Sequence, residues 1–194
     1  MDPMSALTYT EKLQHRFEGL ITGPVEFRGE VSLTVADPAR IAEVCAFAKA
    51  ELGFDFIMDI SSVDHYGEDP RFEIVYELYS QTHHTHLRLK TKVSEARAEL
   101  PTVSTVWRGA NWQEREIYDL MGIRFAGHPD LRRLIMWEGY PYHPLRKDFP
   151  VEGRATEVPE VAFSERAPIE GGPFVTTPGG RDATDREPRA KDLR

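Results

Sequence analysis

The chain has 194 residues, a formal net charge of −8, 40% hydrophobic and 29% charged residues, and a mean hydropathy of −0.47. This length suffices for one well-buried domain, and the acidic balance argues against binding along a phosphate backbone, which needs a basic face. No apolar run approaches the roughly 20 residues of a membrane span, and Met1–Ser5 lacks the basic start of a secretion signal.

Thr8-Tyr9-Thr10-Glu11 has capping-box spacing ahead of Leu13, Phe17 and Leu20, which predicts a short first helix. Val31, Leu33 and Val35 alternate with Ser32 and Thr34, the pattern of a half-buried strand. Asp37-Pro38 offers an N-cap followed by a proline at the first helical position. Ile41, Val44, Cys45, Ala48 and Leu52 then recur at helical spacing, and Gly53 supplies a stop. Phe54 to Val63 is rich in aromatic and β-branched residues and reads as a strand, with Asp59 and Asp64 near its end.

After the turn Tyr66-Gly67-Glu68-Asp69-Pro70, Phe72, Ile74, Tyr76 and Leu78 alternate with Glu73 and Glu77. Beyond Ser80-Gln81-Thr82, Thr85, Leu87, Leu89 and Thr91 alternate with His84, His86, Arg88, Lys90 and Lys92. Two such strands make an antiparallel hairpin with one apolar and one wet face, the wet side bearing acids on one strand and bases on the other. Asn111-Trp112-Gln113-Glu114 repeats the capping-box spacing and opens a helix with an apolar stripe at Ile117, Leu120 and Met121, closed by Gly122. Glu114 is expected to satisfy that helix's N-terminus, and Arg115 and Asp119 to pair at i,i+4.

From Ala126 onward Pro, Gly, His and Arg predict compact irregular structure. Past Pro150 the chain has five prolines (159, 168, 173, 178, 188) and few apolar residues, so it cannot bury a core. Val161, Phe163, Ile169, Phe174 and Val175 suit an extended arm along a partner, with disorder in the last fifteen or so residues. The class expected is α+β: a mainly antiparallel sheet with helices packed on one face, a loop-rich charged segment, then the tail. The division is residues 1–150 and 151–194.

Cys45 is the single cysteine. It can form no internal disulfide, cannot supply a cluster's several thiolates, and falls on an apolar helix stripe, so it reads as a buried hydrophobe in a reducing compartment. His83, His84 and His86 imitate a metal cluster, but on a strand only two of them share a face and no cysteine completes a tetrahedral set. Glu114 and Glu116 lie on different sides of a helix and make no acid–base pair. Neither a dinucleotide-binding glycine motif nor a Walker-type loop occurs. No catalytic, cofactor-binding or metal residue is therefore expected.

Three blocks carry a resemblance. Asn111 to Ile123 contains Glu-Arg-Glu, two further residues, an acid and apolar positions. Gly-His-Pro-Asp-Leu-Arg-Arg follows at 127–133, and Pro-Leu-Arg-Lys-Asp-Phe-Pro at 144–150. In this order and spacing they resemble the signature of the complex I 30 kDa subunit family, over a body from Thr8 to Pro150. Met136 to His143 is more aromatic than the family's Asp-Trp-x-Gly-His type of linker.

The resemblance implies an accessory subunit of the peripheral arm of proton-translocating NADH:quinone oxidoreductase, peripheral on the cytoplasmic side of the bacterial inner membrane. It implies docking on the 49 kDa-type (D) subunit and other peripheral-arm subunits, with flavin and iron–sulfur clusters carried by those partners and none by this chain. Glu114, Arg115, Glu116, Asp119, His128, Asp130, Arg132, Arg133, Arg146, Lys147 and Asp148 are the signature charges assigned to interface and scaffold roles. Arginine forks beside carboxylates suit desolvated pairs, either within the loop or across an interface. Arg146→Ala is accordingly expected to lower assembly more than folding. Two alternatives stay open: the equivalent subunit of a membrane-bound hydrogenase, formate hydrogenlyase or plastoquinone-reducing complex, and a stand-alone hydrolase or metalloenzyme using the His, Asp and Arg residues between Gly127 and Asp148.

Overall fold

Period-two alternation becomes a five-stranded sheet in the computed structural model, which describes residues 6–151 and 153–154. Its strands are β1 (Ile21–Phe27), β2 (Glu30–Val35), β3 (Phe56–Asp64), β4 (Phe72–Ser80) and β5 (Thr85–Val93), ordered β1-β2-β5-β4-β3. Every neighbouring pair is antiparallel except β2 and β5, which run parallel. The hairpin register sets Tyr76 opposite Leu89 on the core side and Glu77 opposite Arg88 on the wet side. The expected cross-strand pairs form there: Lys90 reaches Glu73 at 3.1 Å, and Arg88 joins Glu77 to Glu30, the latter at 2.8 Å.

Among the described residues three α-helices, α1 (Ala6–Arg16), α2 (Ile41–Leu52) and α3 (Ala110–Met121), contribute to the core. Ile41, Val44, Cys45, Ala48 and Leu52 all point inward, and Gly53 ends α2 in the left-handed conformation at φ 76°. Asp37 does cap, but onto a single 3-10 turn, Pro38–Arg40, that leads into α2; its carboxylate accepts from the Ala39 N–H at 2.9 Å. These helices and one face of the sheet share one apolar cluster. The fold is α+β.

The capping box expected at Thr8 is a correction. The helix already runs from Ala6, so Thr8 and Glu11 are inside it. Tyr9 and Leu13 are both buried, with Tyr9 edge-on to Phe54 at 5.2 Å. Burying an aromatic ring stabilises by roughly 2–3 kcal/mol, against about 1 for a cap, so burial sets the start. Three strands escape the sequence pattern: β1, β6 (Glu99–Pro101) and β7 (Arg124–Ala126), the last two forming a parallel pair. β1 is an outer strand exposed from Thr22 onward, with Gly23-Pro24 interrupting it, and three-residue strands are too short to show a period.

Residues 127–148 form no regular element, as their composition predicts. The chain divides into compact units at Asp148/Phe149. The tail's proposed anchors, Val161, Phe163, Ile169, Phe174 and Val175, lie outside the described residues.

Candidate functional site

The signature charges gather around α3, and most of them face inward. Glu114 is fully buried, and here the expectation needs correction: it does not cap its own helix. It accepts from the Thr102 hydroxyl at 2.5 Å and from the Val103 N–H at 2.6 Å, tying the turn before the helix to its first coil. Burial pushes its carboxyl up to about 7, although those two donors pull the other way. The side chain of His128, equally buried, stands 3.8 Å from Glu114 and hydrogen-bonds the Asn111 carbonyl at 3.2 Å.

The expected Arg115–Asp119 pair is a second correction. Arg115 donates to the carbonyls of Arg132 and Arg133, both at 3.2 Å, and its guanidinium stacks on Trp112. Asp119, fully buried, faces Arg133 at 2.6 Å and accepts the consecutive backbone N–H groups of Leu134, Ile135 and Met136 at 3.0, 2.6 and 2.8 Å. Burial alone would raise its carboxyl. The Met136 and Ile135 N–H groups, then Arg133 and Leu134, outweigh it and hold the group below its ordinary value.

A helix leaves its last four carbonyls without intrahelical donors and its C-terminus partly negative. At α3 all four are taken. The Tyr118 carbonyl accepts from Gly122 N–H, that of Asp119 from Arg133 and His143, that of Leu120 from Leu145 N–H, and that of Met121 from Arg146. The arginine-rich segment is thus the C-cap of α3. It comes so close at Gly122 (φ 74°) that a Cβ there would meet the His143 ring at 2.5 Å and the Arg146 guanidinium at 2.7 Å.

A third node is one the sequence pattern does not announce. Arg71 is buried and engages Asp64 at 2.8 Å, Glu95 at 2.9 Å and Asp148. Asp64 in turn accepts from the Lys147 N–H at 2.8 Å. The Arg71 hydrogen bond holds Asp64 below the usual carboxylate range and does the same for Asp148. The available signal was a lone arginine between Pro70 and a strand of apolar alternation. Arg146 lies over the Phe72 ring beside this node. Of the remaining signature residues, Glu116, Asp130, Arg132 and Lys147 are exposed, Arg132 and Asp130 pairing with each other at 2.9 Å.

The histidine cluster comes apart. His84 sits in the hairpin turn at φ 50°, not on the strand beside His86, which corrects the pairing of those two on one face. It bonds the Tyr79 hydroxyl, while His86 packs on the Tyr79 ring and His83 on Tyr9. The Cys45 thiol is buried, and burial raises its pKa, which opposes use as a nucleophile.

The family described as respiratory-chain NADH dehydrogenase, 30 Kd subunit, matches residues 34–155. The chain belongs to that family. Among curated relatives, the C-type subunit of NADH-quinone oxidoreductase from Geobacter sulfurreducens is 47% identical over 143 residues, 73% of this chain and 88% of that protein. A C-type subunit of the same enzyme from Rhizobium etli is 45% identical over 79% of this chain and 83% of its own length. Of solved structures, the trypsin-resistant fragment of Nqo5 superposes with a TM-score of 0.57 at 33% identity, covering 66% of this chain and all of that fragment. A component of the archaeal membrane-bound sulfane sulfur reductase reaches 0.65 over 76% of this chain and 86% of its own, but at 22% identity it shows the fold alone. In this chain Arg115, Asp119, Arg133 and Arg146 fasten the following loop onto α3.

Proposed function

We propose that this chain is a subunit of the peripheral arm of proton-translocating NADH:quinone oxidoreductase. In this reading it docks on the 49 kDa-type (D) subunit, at the cytoplasmic face of the bacterial inner membrane, and is not itself catalytic. The observation that carries it is the likeness to C-type subunits of NADH-quinone oxidoreductase, across 88% of the Geobacter protein's length. Among the described residues no helix is long and apolar enough to cross a membrane, which suits attachment through other subunits.

Among the described residues, three groups that could do chemistry are engaged in structure. The Asp119 carboxylate is saturated by Arg133 and three backbone N–H groups, Glu114 holds the Thr102–Val103 turn, and Cys45 is buried. Flavin and iron–sulfur clusters are accordingly assigned to partner subunits, and this chain's contribution is positional. A rigid, loop-rich surface fixes the register of its neighbours, and electron transfer depends on such fixed separations.

Purification of the tagged chain from native membranes in mild detergent tests the reading. Recovery of a 49 kDa-type subunit together with a flavin-bearing subunit is expected. Recovery of neither sinks it. So does a hydrolase activity that survives in the isolated chain and disappears on His128→Ala.

A further inference from the structure

Among the described residues β3 is an outer strand: it pairs with β4 on one side and with no strand on the other. α3 runs alongside, and the Gln113 amide donates to the Met58 carbonyl at 3.0 Å, closing the first part of that edge. Beyond Met58 the edge opens into a groove of about 180 Å³ lined by Asp59, Ser61 and Ser62 of β3, Glu116 and Leu120 of α3, and Leu145. An open strand edge is a template for another chain to pair with.

Two further features bear on what fits there. Large apolar side chains are exposed in and next to the groove: Leu145, which lines it, is 59% exposed, and Met58 and Trp112, neighbours in sequence of Asp59 and Gln113, are 47% and 60% exposed. The Leu145 backbone is anchored there, its N–H donating to the Leu120 carbonyl at 3.1 Å. Exposed apolar side chains on neighbouring elements mark a contact surface. The charges of the groove, Asp59 and Glu116, are both acidic and exposed, and among the described residues neither takes part in an ion pair with a neighbouring base. Two copies of this chain paired edge to edge would set these acids against each other, a like-charge cost that disfavours self-association.

We propose that this groove receives an extended segment of a partner subunit that adds to the free edge of β3, sets a lysine or arginine opposite Asp59 and Glu116, and packs an apolar side chain against Leu120 and Leu145. The inference rests on the functional reading above and assigns the face that does the docking. The buried salt-bridge nodes gain a purpose in it, since they hold Leu145 and the C-terminal turn of α3 as one wall of the groove.

Photo-crosslinking in the complex isolated from native membranes tests it, with p-benzoylphenylalanine in place of Glu116 and, in a second preparation, in place of Thr34 on the wet face of the sheet. The Glu116 position is expected to crosslink to a peptide of a different subunit that contains a lysine or arginine, and the Thr34 position is not. In parallel, Glu116→Lys is expected to lower incorporation of the chain into the complex by about tenfold, equivalent to about 1.4 kcal/mol, with the melting of the isolated chain unchanged. A crosslink confined to this chain, a crosslink between two copies, no crosslink at Glu116, or undiminished incorporation of Glu116→Lys overturns the groove assignment while the parent chain still co-purifies. If the parent chain itself fails to co-purify with the other subunits, the functional reading falls and this inference with it.

Discussion

Acids and bases meet on the wet face of the β4–β5 hairpin and again beneath the segment that follows α3, and the two sets differ in what surrounds them. Arg88 of the hairpin retains 29% of its side-chain exposure and its β2 partner Glu30 half, so water competes for both. Under the segment, Asp119 and Glu114 have none: Asp119 is held by Arg133 and backbone donors, Glu114 by a hydroxyl and a backbone N–H. An exposed pair contributes little, whereas a buried carboxylate stripped of its donors or left without its counter-charge is costly. The first set keeps a surface soluble; the second determines whether a segment of some twenty residues has a structure at all.

The largest expected effect is therefore at Asp119. Asp119→Ala should lower unfolding free energy by about 3–5 kcal/mol, read from urea titration, because it strands Arg133 and three backbone N–H groups together. A loss no greater than that of a hairpin variant would erase the distinction between the two regions.

Next comes a pH effect of opposite sign to the usual carboxylate. Glu114 is raised from 4.5 to about 7 in the folded state, so its proton is held longer folded than unfolded. Stability from this residue is unaffected below about pH 4.5, falls as pH rises to 7, and is flat above, a span of about 3 kcal/mol. Asp64, Asp119 and Asp148 are lowered and act on the acid side, where their stabilisation disappears as pH falls through their folded values. Melting temperature against pH should slope downward between 5 and 7 in the parent, and Glu114→Gln should remove that slope.

Gly122→Ala should cost about 1–2 kcal/mol from the left-handed backbone, with more if His143 and Arg146 cannot yield. Thermal melts read it, and an unchanged melting temperature would mean that the segment does not lie so close. Smallest is the hairpin: a double-mutant cycle on Arg88 and Glu77 should give a coupling below about 1 kcal/mol that fades in 1 M salt. A coupling above 2 kcal/mol would make the wet face as consequential as the buried nodes.

Much of this fold could be read from the residues, and the reasons are local. The α2 stripe from Ile41 to Leu52 and the alternation of the hairpin each report burial along a single element, which spacing encodes directly. The outer strand β1 could not be read because its residues after Ile21 face solvent and impose no pattern. The signature residues of the candidate site stand out as a group, yet their partners do not. Glu114 at capping-box spacing looks like a cap, and only the approach of Thr102 and Val103 redirects it. Arg115 and Asp119 have ideal separation for each other, but carbonyls and N–H groups from residues 132–136 compete and win, since a buried donor must be matched wherever it is. Arg146 reads as a contact for a partner and is spent on the Met121 carbonyl. Arg146→Ala should accordingly weaken the isolated chain as well as assembly.

The bond from Lys147 N–H to Asp64 joins positions 83 residues apart, and Leu145 meets α3 just before it. During synthesis, Asp64 and Arg71 emerge together, but Asp148 and the Lys147 N–H that complete their node follow 77 and 83 residues later, and long-range closure of this kind is slow. A nascent chain halted before Pro144 has its hairpin and helices but neither the cap on α3 nor the Leu145 wall of the groove. The docking face is thus the last part of the body to come into existence, so that a neighbouring subunit meets it only on a chain translated through Asp148.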